Sequence, residues 1–582
     1  MTYKAPVQDQ LFLLDVVTRI TDLAAIPRFS TATPDMVEAI VRGAAEFAEA
    51  EYAPLAEVGD RIGATWDDGV VRMPEGFGRA YAAFVENGWG TLAFPEAFGG
   101  QGLPQSLATV VMEDLGGANM GFSLINMLTP GAVDALLAFG TPPQQARWLP
   151  KLVTGEWNGT MNLTEPQAGS DVGALRTHAT PAADGLWKIK GQKIFITFGD
   201  HDLTDNIVHL VLARTPGAPA GTKGISLFLV PKYRLDAQGR PSAANDVRCV
   251  SIEHKLGIHA SPTCVMAFGD NDECLGEMLG PEGGGMKAMF TMMNNARLSV
   301  GSQGVQVAER ATQQAVSYAL ERRQSPRADG STGKLPAPIS DHPDVRRMLL
   351  RMEAQTQAAR ALLYYAAGLG DRSHAGDAAA PRRLDLLIPL IKAHATDVGC
   401  EVASLGIQVH GGMGYIEETG AARHYRDARI APIYEGTNGI QAADLVGRKL
   451  MGDDGAALSA LISDVGGTAA AWPRLAELAD AVAQASEWLR READVNDRLA
   501  GSYPFLTMCA VMACGWLMAR SHDAAKAMLA DDGADHAFAR AKMATSRYYL
   551  EVVVAEALGQ RTAALGGAAL LYDYVPGQAS TA

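Results

Sequence analysis

From residue 426 to 441 the chain reads Arg-Asp-Ala-Arg-Ile-Ala-Pro-Ile-Tyr-Glu-Gly-Thr-Asn-Gly-Ile-Gln. One carboxylate, Glu435, stands there between an apolar run and a Gly-Thr-Asn-Gly turn. The apolar approach predicts a partly dry setting, which penalises the charged form and lifts the carboxyl above its usual pKa of about 4.3. Gly436 and Gly439 permit positive φ and close approach of the backbone to a ligand. A carboxylate so placed suits a general base that takes an unusually acidic C–H proton. The competing reading is a helix start, with Thr437 or Asn438 as the N-cap and Glu435 favouring the positive helix end.

Four other stretches carry residue types with chemical use. Met161-Asn-Leu-Thr-Glu-Pro-Gln-Ala-Gly-Ser-Asp-Val offers hydroxyl donors at Thr164 and Ser170 and a glycine at 169 that bares the backbone. Neutral donors of this kind suit carbonyl edges and phosphate oxygens, although an ordinary turn also explains them. Gly191-Gln-Lys-Ile-Phe-Ile-Thr places Phe195 and Thr197 two residues apart on one strand face, able to flank a planar heterocycle or simply to pack. Glu321-Arg-Arg-Gln ends a long helical pattern, where Arg322 suits a phosphate clamp or the helix dipole. Gln408-Val-His-Gly-Gly-Met-Gly-Tyr lacks the spacing of a dinucleotide fingerprint; its glycines read as a helix end or a close backbone approach. His410 and His259 read as structural.

The elements that must position these groups follow from periodicity. At 582 residues the chain needs several domains. Residues 1–158 read as an all-α block, with helical patterns at 34–51, 78–87, 107–127 and 132–139 and a Pro-initiated, capped start at Thr141. Residues 159–275 read as an antiparallel β-barrel or sandwich, with strands near 187–197, 206–213, 224–231 and 264–268. Residues 280–450 then form a four-helix bundle from 286–322, 343–369, 382–410 and 440–450. Residues 451–582 add helices at 469–499, 505–529 and 535–565. The fold class is α+β.

The net charge of −15 argues against a nucleic-acid or anionic-membrane surface. Six cysteines without paired or metal-like spacing suit a reduced, cytoplasmic protein, and no metal site is expected. Residues 499–519 carry no charge, but Gly501-Ser-Tyr-Pro504 breaks the stretch and its small residues suit a buried helix better than a membrane span.

Taken together and in this order, the motifs resemble those of the acyl-CoA dehydrogenase family across about residues 35–450. Leu163-Thr-Glu-Pro-Gln-Ala-Gly-Ser-Asp looks like that family's flavin- and thioester-binding turn. Ile194-Phe-Ile-Thr looks like its strand beside the isoalloxazine, and Tyr434-Glu-Gly-Thr like its base motif. The resemblance implies FAD as cofactor, an acyl-CoA substrate, and oxidation of the α–β bond with Glu435 removing the α-proton. It implies flavin contacts from Met161, Leu163, Thr164, Ser170, Phe195, Thr197, Thr437 and Asn438. Arg322, Gln324, Gln408, Gly411 and Gly412 would meet the flavin's ADP portion from a neighbouring subunit. Ser170, Arg297, Tyr434 and Gly436 would contact substrate.

Where some members place the base, just before Arg297, this chain has Ala296, which favours Glu435. Asn294 replaces a frequent Asp, and Ser325 replaces the usual Gly or aromatic residue after Arg-Arg-Gln. The tail beyond 450 is similar to extended members, which implies a homodimer. An electron-transfer flavoprotein is the implied acceptor. The opening Tyr3-Lys-Ala-Pro-Val-Gln-Asp and the segment 252–261 look most like a bacterial branch acting on a short thioether acyl chain. Met120 and Met127 fit such a chain and fit core packing equally. Oxidase, long-chain and DNA-binding relatives are the rivals; the last would need a basic tail, and this tail is acidic.

Overall fold

The computed structural model describes residues 3–577, so the outermost residues of the two end blocks fall outside the described residues. The chain divides into two compact units, one holding residues 40–299 and the other residues 6–39 with 300 onward.

In the 40–299 unit, helices Phe77–Glu86, Gln105–Ser123, Thr129–Phe139 and Pro142–Thr154 precede the β-region. The Thr141 start is a complete capping box: Gln144 N donates to Thr141 Oγ1 at 3.4 Å, and Thr141 N to Gln144 Oε1 at 3.0 Å. The all-α expectation needs one correction, a small hairpin that pairs Thr65–Asp67 with Val70–Arg72. Asp68 and Gly69 turn it, both at positive φ.

Eight strands form one sheet in the order Val247–Ile252, Thr263–Phe268, Trp187–Thr197, Leu275–Leu279, Ile225–Pro231, Asn206–Arg214 and Trp157–Asn162, with His178–Pro181 beside Trp187–Thr197. Ile189, Val211, Phe228, Val230 and Phe268 fill its core. The antiparallel expectation fails at one edge. Trp157–Asn162 runs parallel to Asn206–Arg214, from Trp157 opposite Asn206 to Asn162 opposite Val211. The chain between them is long enough to return to the same end of the sheet, which a parallel pair requires.

The other unit holds the remainder of the helix Gly285–Glu321, then Pro343–His374, Ala380–His410 and the short Asn438–Asp444, which continues as a π-turn over Leu445–Lys449. Glycines allow the first and third of these to approach closely. A Cβ on Gly304 would lie 2.0 Å from the Ala395 carbonyl oxygen, and one on Gly301 2.5 Å from Ile391.

Beyond 450 the longer helices are Ala456–Ala469, Pro473–Arg491, Val495–Met528 and His536–Tyr548, the last continuing through a π-turn over Tyr549–Val553 into Val554–Leu558. Here the expected boundary between the 469–499 and 505–529 helices is wrong. The helix does not break at 501–504; it starts at an Asp494 cap, whose side chain accepts from Asp497 N at 2.9 Å, and runs through Pro504. Packing outweighs the local cost of proline, with Gly501 seated against the Ala564 carbonyl. This helix is long and apolar enough to cross a membrane, and 83% of its most apolar window is buried inside the protein.

A buried ionic cluster ties the N-terminal helix Val7–Leu13 to the bundle and the tail. Arg360 donates to Asp9 Oδ2 at 2.8 Å and to Glu309 Oε2 at 2.6 Å, while Lys542 donates to the other Asp9 oxygen.

Candidate active site

Glu435 sits at the apex of a turn closed by its own neighbours. Asn438 N donates to Pro432 O at 3.0 Å, and Gln441 Nε2 donates to Glu435 O at 3.2 Å and Gly436 O at 3.4 Å. Glu435 has φ +56° and Gly436 φ +83°. A left-handed carboxylate residue is uncommon and costs roughly 1 kcal/mol or more, so the surrounding contacts must enforce it. Tyr434 is one of them, its hydroxyl donating to Gln303 Oε1 on the long helix. Burial, then the Glu435 charge, raise the Tyr434 phenol far above its ordinary value and keep it a neutral donor.

The cap reading proves correct as geometry. Thr437 caps Asn438–Asp444, accepting from Ile440 N at 3.2 Å, which still leaves its O–H to donate. Asn438 is a correction. Its side chain is 4% exposed and committed to the bundle: Nδ2 donates to Ala393 O, Thr396 Oγ1 and Asp397 Oδ1 at 2.9–3.1 Å, and Lys392 Nζ donates to Oδ1 at 2.9 Å. Its amide therefore holds the turn and is not presented to a ligand.

In the 40–299 unit the two β-region motifs are joined by a buried ion pair that sequence reasoning missed. Lys193 Nζ donates to Glu165 Oε1 at 2.8 Å and to Leu163 O at 3.0 Å, and Ile194 N donates to Thr164 O at 2.9 Å. Glu165 also accepts from Thr177 N and Oγ1, Arg176 N and Gln167 Nε2. Burial acts to raise the Glu165 carboxyl, yet the Lys193 charge and these donors outweigh it and bring it down to about 2. Burial draws Lys193 down to about 8, so the pair remains ionised near neutral pH. The available signal was parity: Lys193 stands four residues after Ile189, on the buried face of the same strand.

Phe195 departs from a regular strand. Thr263–Phe268 places Cys264 opposite Ile196 but Met266 opposite Lys193, so one extra residue bulges from the Trp187–Thr197 strand. Phe195 has φ +61° and is 58% exposed, with Thr197 half-buried beside it. The bulge turns an aromatic ring outward. Ser170 is exposed, Thr164 half-buried, and a Cβ at Gly169 would meet nothing within 4 Å. Met161 and Leu163 are each 8% exposed, and the Leu163 carbonyl accepts from Lys193 Nζ. An outward aromatic face with neutral hydroxyls and bare backbone fits a neutral, planar flavin ring.

At one end of the bundle Arg322, Gln324, Gln408, Gly411 and Gly412 are exposed, and Gly411 has φ +61°. Ser325, standing where Gly or an aromatic residue is usual, also adopts positive φ (+56°). His410 is structural, bonded to Gly406 O at 2.7 Å and stacked on Tyr318. His259 bonds the Asp60 and Lys255 carbonyls. Arg297 lies on the long helix and is 5% exposed.

A cleft of about 710 Å³ in the 40–299 unit, lined by Tyr81, Trp89, Gln105, Met112 and Asn158 among others, contains none of the motif residues.

Models of the acyl-CoA dehydrogenase N-terminal, middle and C-terminal domains match residues 34–156, 160–271 and 283–451, and an acetyl-CoA dehydrogenase C-terminal-like model matches 454–574. The chain is 46% identical over 574 residues to 3-methylmercaptopropionyl-CoA dehydrogenase of Ruegeria pomeroyi, covering 96% of this chain and 97% of that one. Among solved structures, butyryl-CoA dehydrogenase of Megasphaera elsdenii is 28% identical with a TM-score of 0.59, covering 72% of this chain and 98% of that one. A chain from the electron-transferring flavoprotein study of Acidaminococcus fermentans is 29% identical with a TM-score of 0.59, covering 71% and 97%. The chain belongs to the acyl-CoA dehydrogenase family of flavin-dependent oxidoreductases acting on the CH–CH bond of acyl-CoA thioesters.

Proposed function

We propose that the chain oxidises a short acyl-CoA, 3-methylthiopropanoyl-CoA above others, to its trans-2-enoyl thioester, with Glu435 as the base. The observation that carries the substrate is the 46% identity to the Ruegeria pomeroyi enzyme, sustained over 96% of this chain and so through the extension as well as the core domains. The base reading is supported by a carboxylate held at φ +56° on a turn fixed by Gln441, Asn438 and the Tyr434–Gln303 bond. Glu435 takes the α-proton. The Glu435 backbone N–H donates to the thioester oxygen, which gains negative charge as the proton leaves. Gly436 and Tyr434 shape the acyl side of this turn.

FAD, when bound, supplies the acceptor for the β-hydride. Thr164, Ser170, Phe195 and Thr197, with the main chain at Met161 and Leu163, would hold and flank its ring, and the Thr437 hydroxyl on the base turn would be a further flavin contact. Arg322, Gln324, Gln408, Gly411 and Gly412 grip the ADP portion of the flavin of a second subunit in a homodimer. An electron-transfer flavoprotein takes the electrons onward, in the cytoplasm.

The test is anaerobic mixing of the yellow protein with 3-methylthiopropanoyl-, butanoyl-, octanoyl- and palmitoyl-CoA, following flavin bleaching. Fastest reduction by the thioether substrate is expected; preference for butanoyl-CoA would assign a linear short-chain enzyme instead. Glu435→Gln should keep its flavin and bind ligand but reduce at least about a thousandfold more slowly, within the 10²–10⁴ range of a positioned base. Near-normal bleaching by that variant would remove Glu435 from the role.

A further inference from the structure

The helix Val495–Met528 lies in the C-terminal extension, yet one of its side chains reaches the segment that carries Glu435. Tyr503 OH donates to Asp397 Oδ2 at 2.5 Å, and Asp397 Oδ1 accepts from Asn438 Nδ2 at 2.9 Å. Asn438 in turn closes the 432–438 loop through its backbone N–H, 3.0 Å from Pro432 O. One carboxylate thus divides its two oxygens between the extension and the base loop.

The charged and titratable groups around Asp397 are few: Lys392, Arg429, Tyr503 and the Cys400 thiol. Burial raises the Asp397 carboxyl, and the Tyr503 and Asn438 hydrogen bonds oppose that rise. Without the Tyr503 hydroxyl, Asp397 Oδ2 loses its donor, and a carboxylate freed at one oxygen rotates or moves toward water. Either motion withdraws Oδ1 from Asn438.

We propose that Tyr503 is a positioning residue: through Asp397 and Asn438, the C-terminal extension sets the geometry of the loop that presents Glu435. This gives the extension a part in catalysis beyond packing, and it rests on Glu435 being the base. Small displacements of a reacting group are costly, with 1 Å worth about a hundredfold in rate. Tyr503 is 38% exposed, so removing its hydroxyl opens no core cavity.

The experiment compares the full-length, flavin-loaded protein with Tyr503→Phe, Glu556→Gln and Glu435→Gln, using whichever thioester of the panel reduces it fastest. Glu556 also joins the extension to the bundle, accepting from Arg351 Nη1 at 2.9 Å, but it is not part of the Asp397 chain. Tyr503→Phe should lower kcat about tenfold with KM, flavin content and melting temperature nearly unchanged. Glu556→Gln should leave kcat unchanged and lower only the melting temperature. Equal effects of the two variants on kcat, or a normal kcat for Tyr503→Phe, would overturn the proposal. If Glu435→Gln were itself active, the base reading would fall first; an inactive Glu435→Gln beside a full-speed Tyr503→Phe would sink this proposal alone.

Discussion

Lys193 and Glu165, 28 positions apart, meet at 2.8 Å with side chains 0% and 3% exposed, and their pairing pins the Leu163–Asp171 turn to the strand that carries Phe195. Breaking one partner of such a pair strands a buried charge, which costs about 3–5 kcal/mol, whereas removing both costs much less. Glu165→Gln and Lys193→Met should each lower the urea midpoint sharply, and the double variant should lose far less than the sum. Additive losses would show that the pair is not coupled. Because the folded Glu165 carboxyl sits near 2, below its ordinary 4.5, its stabilising share is complete above about pH 4.5 and is lost as pH falls toward about 2. The Glu165→Gln variant should therefore show a flatter acid limb.

Phe195→Gly should separate stability from cofactor retention. The ring is 58% exposed and its backbone is left-handed, so glycine relieves roughly 1 kcal/mol of strain while removing little buried surface. The flavin-free variant should melt at the same temperature as the flavin-free parent, or slightly above it. Flavin should leave the variant faster during dialysis. Unchanged flavin release would show that the outward ring does not flank the cofactor.

Element order and type were legible because long runs of period 3.6 and period 2 reflect burial directly. What local rules could not reach was decided by distant contacts. Pro504 reads as a break, but the helix continues because Phe505, Met508, Cys509 and Met512 are fully buried. The parallel edge strand Trp157–Asn162 carries no local mark of its direction. At the candidate site, the Thr437 helix cap was readable from the Gly-Thr-Asn-Gly turn. The inward bonds of the Asn438 amide to Lys392, Thr396 and Asp397 had no local mark, since none of these residues is near it in sequence. The bulge that exposes Phe195 arises from strand register, which depends on the partner strand.

Gly304→Ala tests whether the approach of the two bundle helices sets the base turn. The added methyl would fall 2.0 Å from the Ala395 oxygen, an overlap relieved only by moving a helix. Overpacking of this kind costs about 1–3 kcal/mol. The neighbouring Gln303 would shift from Tyr434 as well, so flavin bleaching should slow more than the loss of folded protein explains. A variant that melts lower but turns over normally would confine Gly304 to packing.

The last prediction concerns Asp134, whose carboxyl burial raises from 3.8 to about 6 against the pull of one hydrogen bond, from Asn295 Nδ2 at 3.0 Å. A carboxyl whose folded pKa is raised holds more protons in the folded than in the unfolded chain between about pH 4 and 6. Stability must then fall as pH rises through that window, leaving a standing cost of up to about 2–3 kcal/mol at neutral pH. Asp134→Asn keeps an oxygen to accept from Asn295 and removes the charge. The variant should melt a few degrees above the parent near pH 7, and the gap should close below about pH 4, where the parent carboxyl is protonated in both states. Melting curves at several pH values decide it; a gap that persists at low pH would assign the gain to packing and remove Asp134 from the titration.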